Sequence, residues 1–268
     1  MKIKTFLVDA FTDEAFKGNP AGVCLLEEKI SEELMQNIAM EINAAETAFV
    51  LKNGESKYSI RYYSPAVEIA FCGHATVASA KVLIEKFGIE EIEFTTHFNL
   101  NLSAFKHGDK LRMIFPIFET VEFSSDKILD ALNISSYEDV KYCKDNQDLV
   151  VRVKDKETLL ALNPDMGKLK EASGEFRGVC VTCKSEDEGF DFYSRFFAPA
   201  VGINEDPVTG SAHSVLAKYW SDILGKKELS AYQLSKRGGY LKLKILDNNS
   251  LEVISNAKIV IEGELNTN

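Results

Sequence analysis

Residues 61–69 read RYYSPAVEI, and residues 195–203 read RFFAPAVGI. The two stretches agree at five of nine positions and differ at two more only by a Tyr/Phe exchange; their spacing of 134 residues is half of the 268 in the chain. The residues after each copy are also alike: Cys72-Gly73-His74-Ala75-Thr76 opens one helical pattern and Thr209-Gly210-Ser211-Ala212-His213 opens another, after about three extra residues. Self-similarity at one fixed spacing is the mark of a duplicated structural unit. Two similar lobes facing each other are therefore expected: an N-terminal lobe of residues 1–117 and a C-terminal lobe of residues 118–268, whose last strand is free to pack back on the first lobe.

Around this repeat the chain reads mostly as strand. Alternating or β-rich runs occupy 5–11, 23–26, 47–51, 58–63, 92–95, 111–115, 149–153, 178–183, 191–197, 240–246 and 257–261. Gly18-Asn19-Pro20 is read as the turn between the first two, and His107 to Lys110, around Asp109, as a hairpin turn. A helix is expected over Glu32–Ile42, with Ser31 as its cap, Glu32 and Glu33 at the positive end of the dipole, and Leu34, Met35, Ile38, Ala39 and Ile42 on one face. The helices after the repeat differ in kind. Residues 75–87 are apolar on nearly all faces and end at Lys86 and Gly88, the pattern of a buried helix; residues 211–224 end at Gly225. One buried helix per lobe within antiparallel strands is therefore expected. No low-complexity linker interrupts the chain, and only the tail after Gly263 reads as loose.

Composition narrows the function. With 31 basic and 41 acidic residues the formal charge is −10, and no basic stripe is present, which argues against nucleic-acid or anionic-membrane partners. No run approaches the length of a membrane span, and MKIKTFLVDAF lacks the apolar core and cleavage site of a secretory signal. The five cysteines have no framework spacing and suit a reducing cytoplasm. Neither GxGxxG nor GxxxxGK[ST] occurs, Ser211 lacks a GxSxG setting, and Cys180-Val-Thr-Cys183 lies in a strand-like run without a second ligand pair.

Small residues ahead of two buried helices present backbone N–H groups at the positive ends of two dipoles, an arrangement that binds anions. If the lobes are related by a pseudo-two-fold axis, Gly73-His74-Ala75 and Gly210-Ser211-Ala212 line one cleft suited to a small carboxylate; tight turns and close packing would account for the same glycines. Three ionisable residues stand near these helix starts in small or apolar surroundings: Glu46 in NAAETAFV, His74, and Asp206 in NEDPVTGS. A desolvated carboxyl is shifted toward neutral pH, as a general acid/base requires. Taken singly, Glu46 reads as a strand start and Asp206 as a cap before Pro207; their joint placement carries the functional reading.

The segments VDAFTDEAFKGNPAGV (8–23), IAMEINAAETAFV (38–50), RYYSPAVEIAFCGHATVASA (61–80), GINEDPVTGSAHSVLA (202–217) and SKRGGYLKL (235–243) resemble the phenazine-biosynthesis PhzF-like family, a branch of the diaminopimelate epimerase-like fold. The resemblance implies an α+β fold of two pseudo-symmetric lobes, each a mostly antiparallel β-barrel wrapped around a central helix, with the active site between them. It implies a cofactor-free, metal-free isomerase that shuttles a proton on a small unsaturated or cyclic carboxylic or amino acid, working as a homodimer. By motif, Glu46 matches the family's general acid/base, with His74 and Asp206 as its catalytic partners. Gly73, Ala75, Thr209, Gly210 and Ser211 fall at substrate-binding positions. Two-thiol epimerases of the same fold need a cysteine on each side of the substrate carbon; here Cys72 suits the first place, but Thr209 stands at the second, and a hydroxyl is a poor base. A non-catalytic metabolite-binding protein and a one-base epimerase using Cys72 are the alternative readings, since fold alone does not assign function.

Overall fold

The computed structural model describes every residue except Glu175, Asn248 and Asn268. Its elements in chain order begin β1 (Lys2–Ala10), β2 (Asn19–Leu26), α1 (Glu32–Ile42), β3 (Glu46–Lys52), β4 (Lys57–Tyr63), β5 (Glu68–Ile69), α2 (Gly73–Phe87), β6 (Glu91–Thr96), β7 (Asn101–His107) and β8 (Lys110–Pro116). They continue with β9 (Val121–Glu122), α3 (Asp126–Leu132), β10 (Asp139–Cys143), β11 (Asp148–Arg152), α4 (Lys156–Ala161), α5 (Met166–Ser173), β12 (Gly178–Lys184) and β13 (Phe192–Ala198). A 3₁₀ turn at Pro199–Val201 then leads to β14 (Ile203–Asp206), α6 (Gly210–Leu224), β15 (Glu228–Gln233), β16 (Gly239–Ile245), β17 (Ser250–Ser255) and β18 (Ala257–Asn266). The chain divides into two units, Met1–Phe115 together with the chain from Glu252 on, and Pro116–Leu251.

In the first unit β18 runs antiparallel to β1 from Lys2↔Asn266 to Ala10↔Ala257. β1 is antiparallel to β2, β2 is parallel to β3, β3 antiparallel to β4, and β4 pairs with β5 on one stretch and in parallel with β6 on another. An antiparallel meander β6–β7–β8 completes it. Helix α1 forms where the sequence places it: the Ser31 hydroxyl accepts from Leu34 N, Asn43 ends the helix at φ 51°, and Met35, Ile38 and Ala39 are buried against Ile3, Cys24, Phe49 and Tyr63. Helix α2 packs on β1, β2, β3, β7 and β18 and buries Gly73 through Ala80 without a break. That enclosure explains why its sequence is apolar all round.

The second unit repeats the order of pairings. β10 is antiparallel to β11, β11 parallel to β12, β12 antiparallel to β13, β13 pairs with β14 and in parallel with β15, and β15 is antiparallel to β16. Its core joins Ile128, Leu132 and Leu169 of the added helices to Leu149, Val151, Val179, Val181 and Phe197 of the strands. Helices α2 and α6 are both 15 residues long, and both close on a left-handed glycine, Gly88 at φ 69° and Gly225 at φ 67°. The arginines that open the two repeat copies do the same work: Arg61 grips Glu68 by Nε and Nη2 at 2.7 and 2.6 Å, and Arg195 grips Glu205 at 2.7 and 3.1 Å.

The fold is α+β, but each unit carries two parallel pairings beside its antiparallel ones, so its sheet is mixed. From Glu252 the chain joins the first unit, where β18 satisfies the edge of β1. Two expectations are corrected. Asn19 and Pro20 lie inside β2, opposite Ala10 and Asp9; the reversal occupies 11–18, with left-handed backbone at Phe11, Phe16 and Gly18. The tail after Gly263 is ordered in β18 as far as Asn266. The Gly108 turn joins β7 to β8 as expected.

Candidate active site

Both buried helices begin without a side-chain cap. Cys72 and Thr209 occupy the cap positions in extended conformation. In the first unit the start of α2 is pinned from behind. Thr76 Oγ1 donates to Cys72 O at 2.7 Å and lies 2.6 Å from the hydroxyl of the buried Tyr62.

Glu46 opens β3, where parallel pairing sets it opposite Ala21 of β2, and it is only 8% exposed. His74, the second residue of α2, is 7% exposed, and its Nε2 lies 3.0 Å from Glu46 Oε2. On the other side of the ring, Asn19 Nδ2 is 3.3 Å from Nδ1. Asn19 is held there by the left-handed Gly18, where an added Cβ would sit 2.1 Å from Ala10 O. Burial works against a charged imidazole, but the side chains of Cys72 and Glu46 beside it more than offset this and raise His74 well above its ordinary value. His74 Nε2 is thus set to donate to Glu46 Oε2.

Cys72 Sγ lies within hydrogen-bonding distance of the His74 ring, 3.4 Å from Nδ1 and 3.8 Å from Nε2. Burial pushes its thiol up, which favours the neutral form. Glu46, Cys72 and His74 offer an oxygen, a sulfur and a nitrogen within 4.8 Å of one another, donors that a zinc-like ion accepts, but the oxygen and nitrogen are already bonded to each other. Gly73 and Ala75 flank His74 in the same buried turn.

In the second unit Asp206 ends β14, opposite Phe196, and is 9% exposed. Thr209 Oγ1 donates to Asp206 Oδ2 at 2.5 Å. Gln233, fully buried on β15, ties this turn together: its Oε1 accepts from Thr209 N at 2.9 Å, and its Nε2 donates to Asp206 O at 2.7 Å. Gly210 and Ser211 come next as the first residues of α6, and Asn146 Nδ2 donates to Ser211 O at 3.3 Å. His213 is buried behind them. Burial lowers its pKa to about 4, so it is neutral, and its Nδ1–H donates to Thr209 O at 2.8 Å.

The structure thus joins Glu46 with His74 in one unit and Asp206 with Thr209, Gly210 and Ser211 in the other. It adds Asn19 and Gln233, which sequence reasoning missed. Asn19 stood inside a quoted motif but was read as turn; Gln233 carries no local signal, since only strand pairing brings it to Thr209. Cys180 and Cys183 are buried thiols, both pushed up chiefly by desolvation.

The phenazine biosynthesis-like protein model, PhzC-PhzF, matches residues 8–263. A phenazine biosynthesis-like domain-containing protein of Bos taurus is 40% identical over 288 residues, covering 99% of both chains. An uncharacterized isomerase of Pseudomonas aeruginosa is 44% identical over 248 residues, 91% of this chain and 92% of its own. The crystal structure of a PhzF-family phenazine biosynthesis protein from Enterococcus faecalis superposes with a TM-score of 0.90 at 38% identity, covering 99% of this chain and 100% of that one. From the repeated helix starts, the buried Glu46–His74 pair and these likenesses together, the chain belongs to the phenazine biosynthesis-like PhzC-PhzF family.

Proposed function

We propose that this protein is an isomerase that moves a proton between carbon atoms of a small unsaturated or cyclic carboxylic or amino acid, with Glu46 as the shuttling base and acid. The observation that carries this reading is the buried contact of Glu46 Oε2 with His74 Nε2 at 3.0 Å. A carboxylate so placed takes a proton from an activated C–H, the electron pair passes into the adjoining unsaturation, and the resulting carboxylic acid returns the proton to another carbon. Atoms and electrons balance without an oxidant. His74 keeps Glu46 oriented by its contact with Oε2. In the first unit Gly73 and Ala75 stand at the start of α2 as carboxylate-binding positions; in the second, Asp206, tied to Thr209, is the polarising group, with Gly210 and Ser211 at the start of α6 as substrate-binding positions. The Pseudomonas aeruginosa relative described as an isomerase supports the reaction class.

A one-base epimerase using Cys72 fits less well, because the thiol is favoured neutral and lies beside the His74 ring. Incubating a panel of such acids in deuterated water tests the proposal. The wild type should place deuterium on a substrate carbon, and Glu46→Gln should slow this by about 10²–10⁴-fold. Exchange by the Gln variant at the wild-type rate would sink the proposal.

A further inference from the structure

Apart from Asp206, Thr209 and their neighbours, the second unit carries a charged pair that the proposed reaction does not use. Asp148, at the head of β11, is 1% exposed, and Arg177 immediately precedes β12. Arg177 Nε donates to Asp148 Oδ1 at 2.9 Å, and Nη2 donates to Oδ2, so the carboxylate is spent on one edge of the guanidinium. The opposite edge, at Nη1, donates to no protein group among the described residues, and a third of the side chain remains exposed. The guanidinium also rests 5.3 Å above the ring of Phe196. An arginine gripped on one edge by a buried carboxylate is fixed in orientation while its other edge stays available.

Its place in the fold relates it to the site. Thr47 pairs with Tyr63 in the first unit, and Val179 pairs with Phe197 in the second; Tyr63 and Phe197 are matching positions of the sequence repeat. The counterpart of Glu46 is therefore Gly178, and Arg177 is the residue before it. No side chain fits at Gly178, where an added Cβ would lie 2.4 Å from Phe196 Cζ. Where one unit sets a carboxylate at a strand head, the other sets a guanidinium. The turn that holds Arg177 also holds the start of α6: Arg177 N donates to Gln147 O, Asp148 N donates to Asn146 Oδ1, and Asn146 Nδ2 donates to Ser211 O. Asp206, paired with Phe196, is near enough for its charge to raise the pKa of Arg177 beyond what Asp148 does, against the effect of burial.

We propose that Arg177 is a specificity residue of the second unit that takes the anionic group of the substrate, with Asp148 as its positioning residue. The proposal rests on the isomerase reading for the substrate's role, but not for binding itself.

The probes are cyclohex-1-ene-1-carboxylate and the matching neutral carboxamide, titrated calorimetrically into the full chain. The wild type is expected to bind the carboxylate at least tenfold more tightly than the amide. Arg177→Gln should erase that preference by weakening the carboxylate and leaving the amide unchanged, and Asp148→Asn should weaken it several-fold. Arg177→Lys, which keeps the charge and loses the fork, should retain part of the preference and guards against a folding defect in the Gln variant. Glu46→Gln should keep the preference while losing deuterium exchange, so loss of exchange and loss of selectivity are read separately. A wild type with no preference for the carboxylate, or folded Arg177→Gln and Arg177→Lys variants that keep all of it, would overturn the proposal.

Discussion

At the scale of single residues, the chemistry turns on a buried histidine set against the carboxylate of Glu46. His74 has its folded-state pKa raised well above the ordinary value, so the folded protein binds that proton more tightly than the unfolded chain. The stabilisation is complete below the unfolded value of about 6.5 and is lost as pH rises through the folded value. Denaturant unfolding measured upward from about pH 6.5 should therefore show stability falling through that window in the wild type. The slope should be reduced in His74→Gln, and a slope unchanged by the substitution would remove His74 as its source. Glu46 and His74 were legible from the sequence because each sits in a short motif beside small residues. Asn19, on the other face of the ring, was not. Its role depends on the pairing of β2 with β1, which carries it to a helix start 55 positions away.

At the scale of elements, the caps and the apolar patterns did most of the work. Ser31, Asn43, Gly88 and Gly225 bound their helices as cap residues should, since cap geometry is local. The short helices α3, α4 and α5 escaped the reading, although Ser125, Asp155 and Asp165 each cap one by accepting from the backbone N–H three residues on. Six to eight residues hold too few apolar positions for a period to stand out. Strands β7, β10, β15 and β17 were missed for a similar reason, since polar residues alternate through them and they become strands by pairing. The matching closures of α2 and α6 make a paired prediction. At both Gly88 and Gly225 an added Cβ meets nothing within 4 Å, so Gly→Ala costs only the left-handed backbone. Each substitution should lower stability by about 1 kcal/mol. Urea titrations of the two variants should give equal losses within error, and a much larger loss at either would mean that its helix end is constrained by more than φ.

At the scale of the whole molecule, duplication explains both the regularity and the division of labour. The same order of parallel and antiparallel pairings runs through each unit, and the Arg61–Glu68 and Arg195–Glu205 pairs repeat with it. The chain crosses back to the first unit at its end, where the ten-residue β18 covers the edge of β1. Truncation after Ser255 should therefore leave β1 with an unpaired edge and abolish cooperative thermal unfolding of the first unit, as monitored by far-ultraviolet circular dichroism. A truncated chain that melts like the intact one would show that β18 is dispensable.

The sequence by itself determined the doubling, the two buried helices, the residues at their starts and the family resemblance. These are carried by local patterns and by a repeat that can be read without coordinates. Only the tertiary structure decided what those residues touch: that Glu46 meets His74, that Gln233 closes the turn of Asp206 and Thr209, that Arg177 stands braced by Asp148, and that the last strand belongs to the first unit. Each of these depends on strand register and on which edges remain to be satisfied. Such pairings are fixed by hydrogen bonding between distant segments, and no local pattern encodes them.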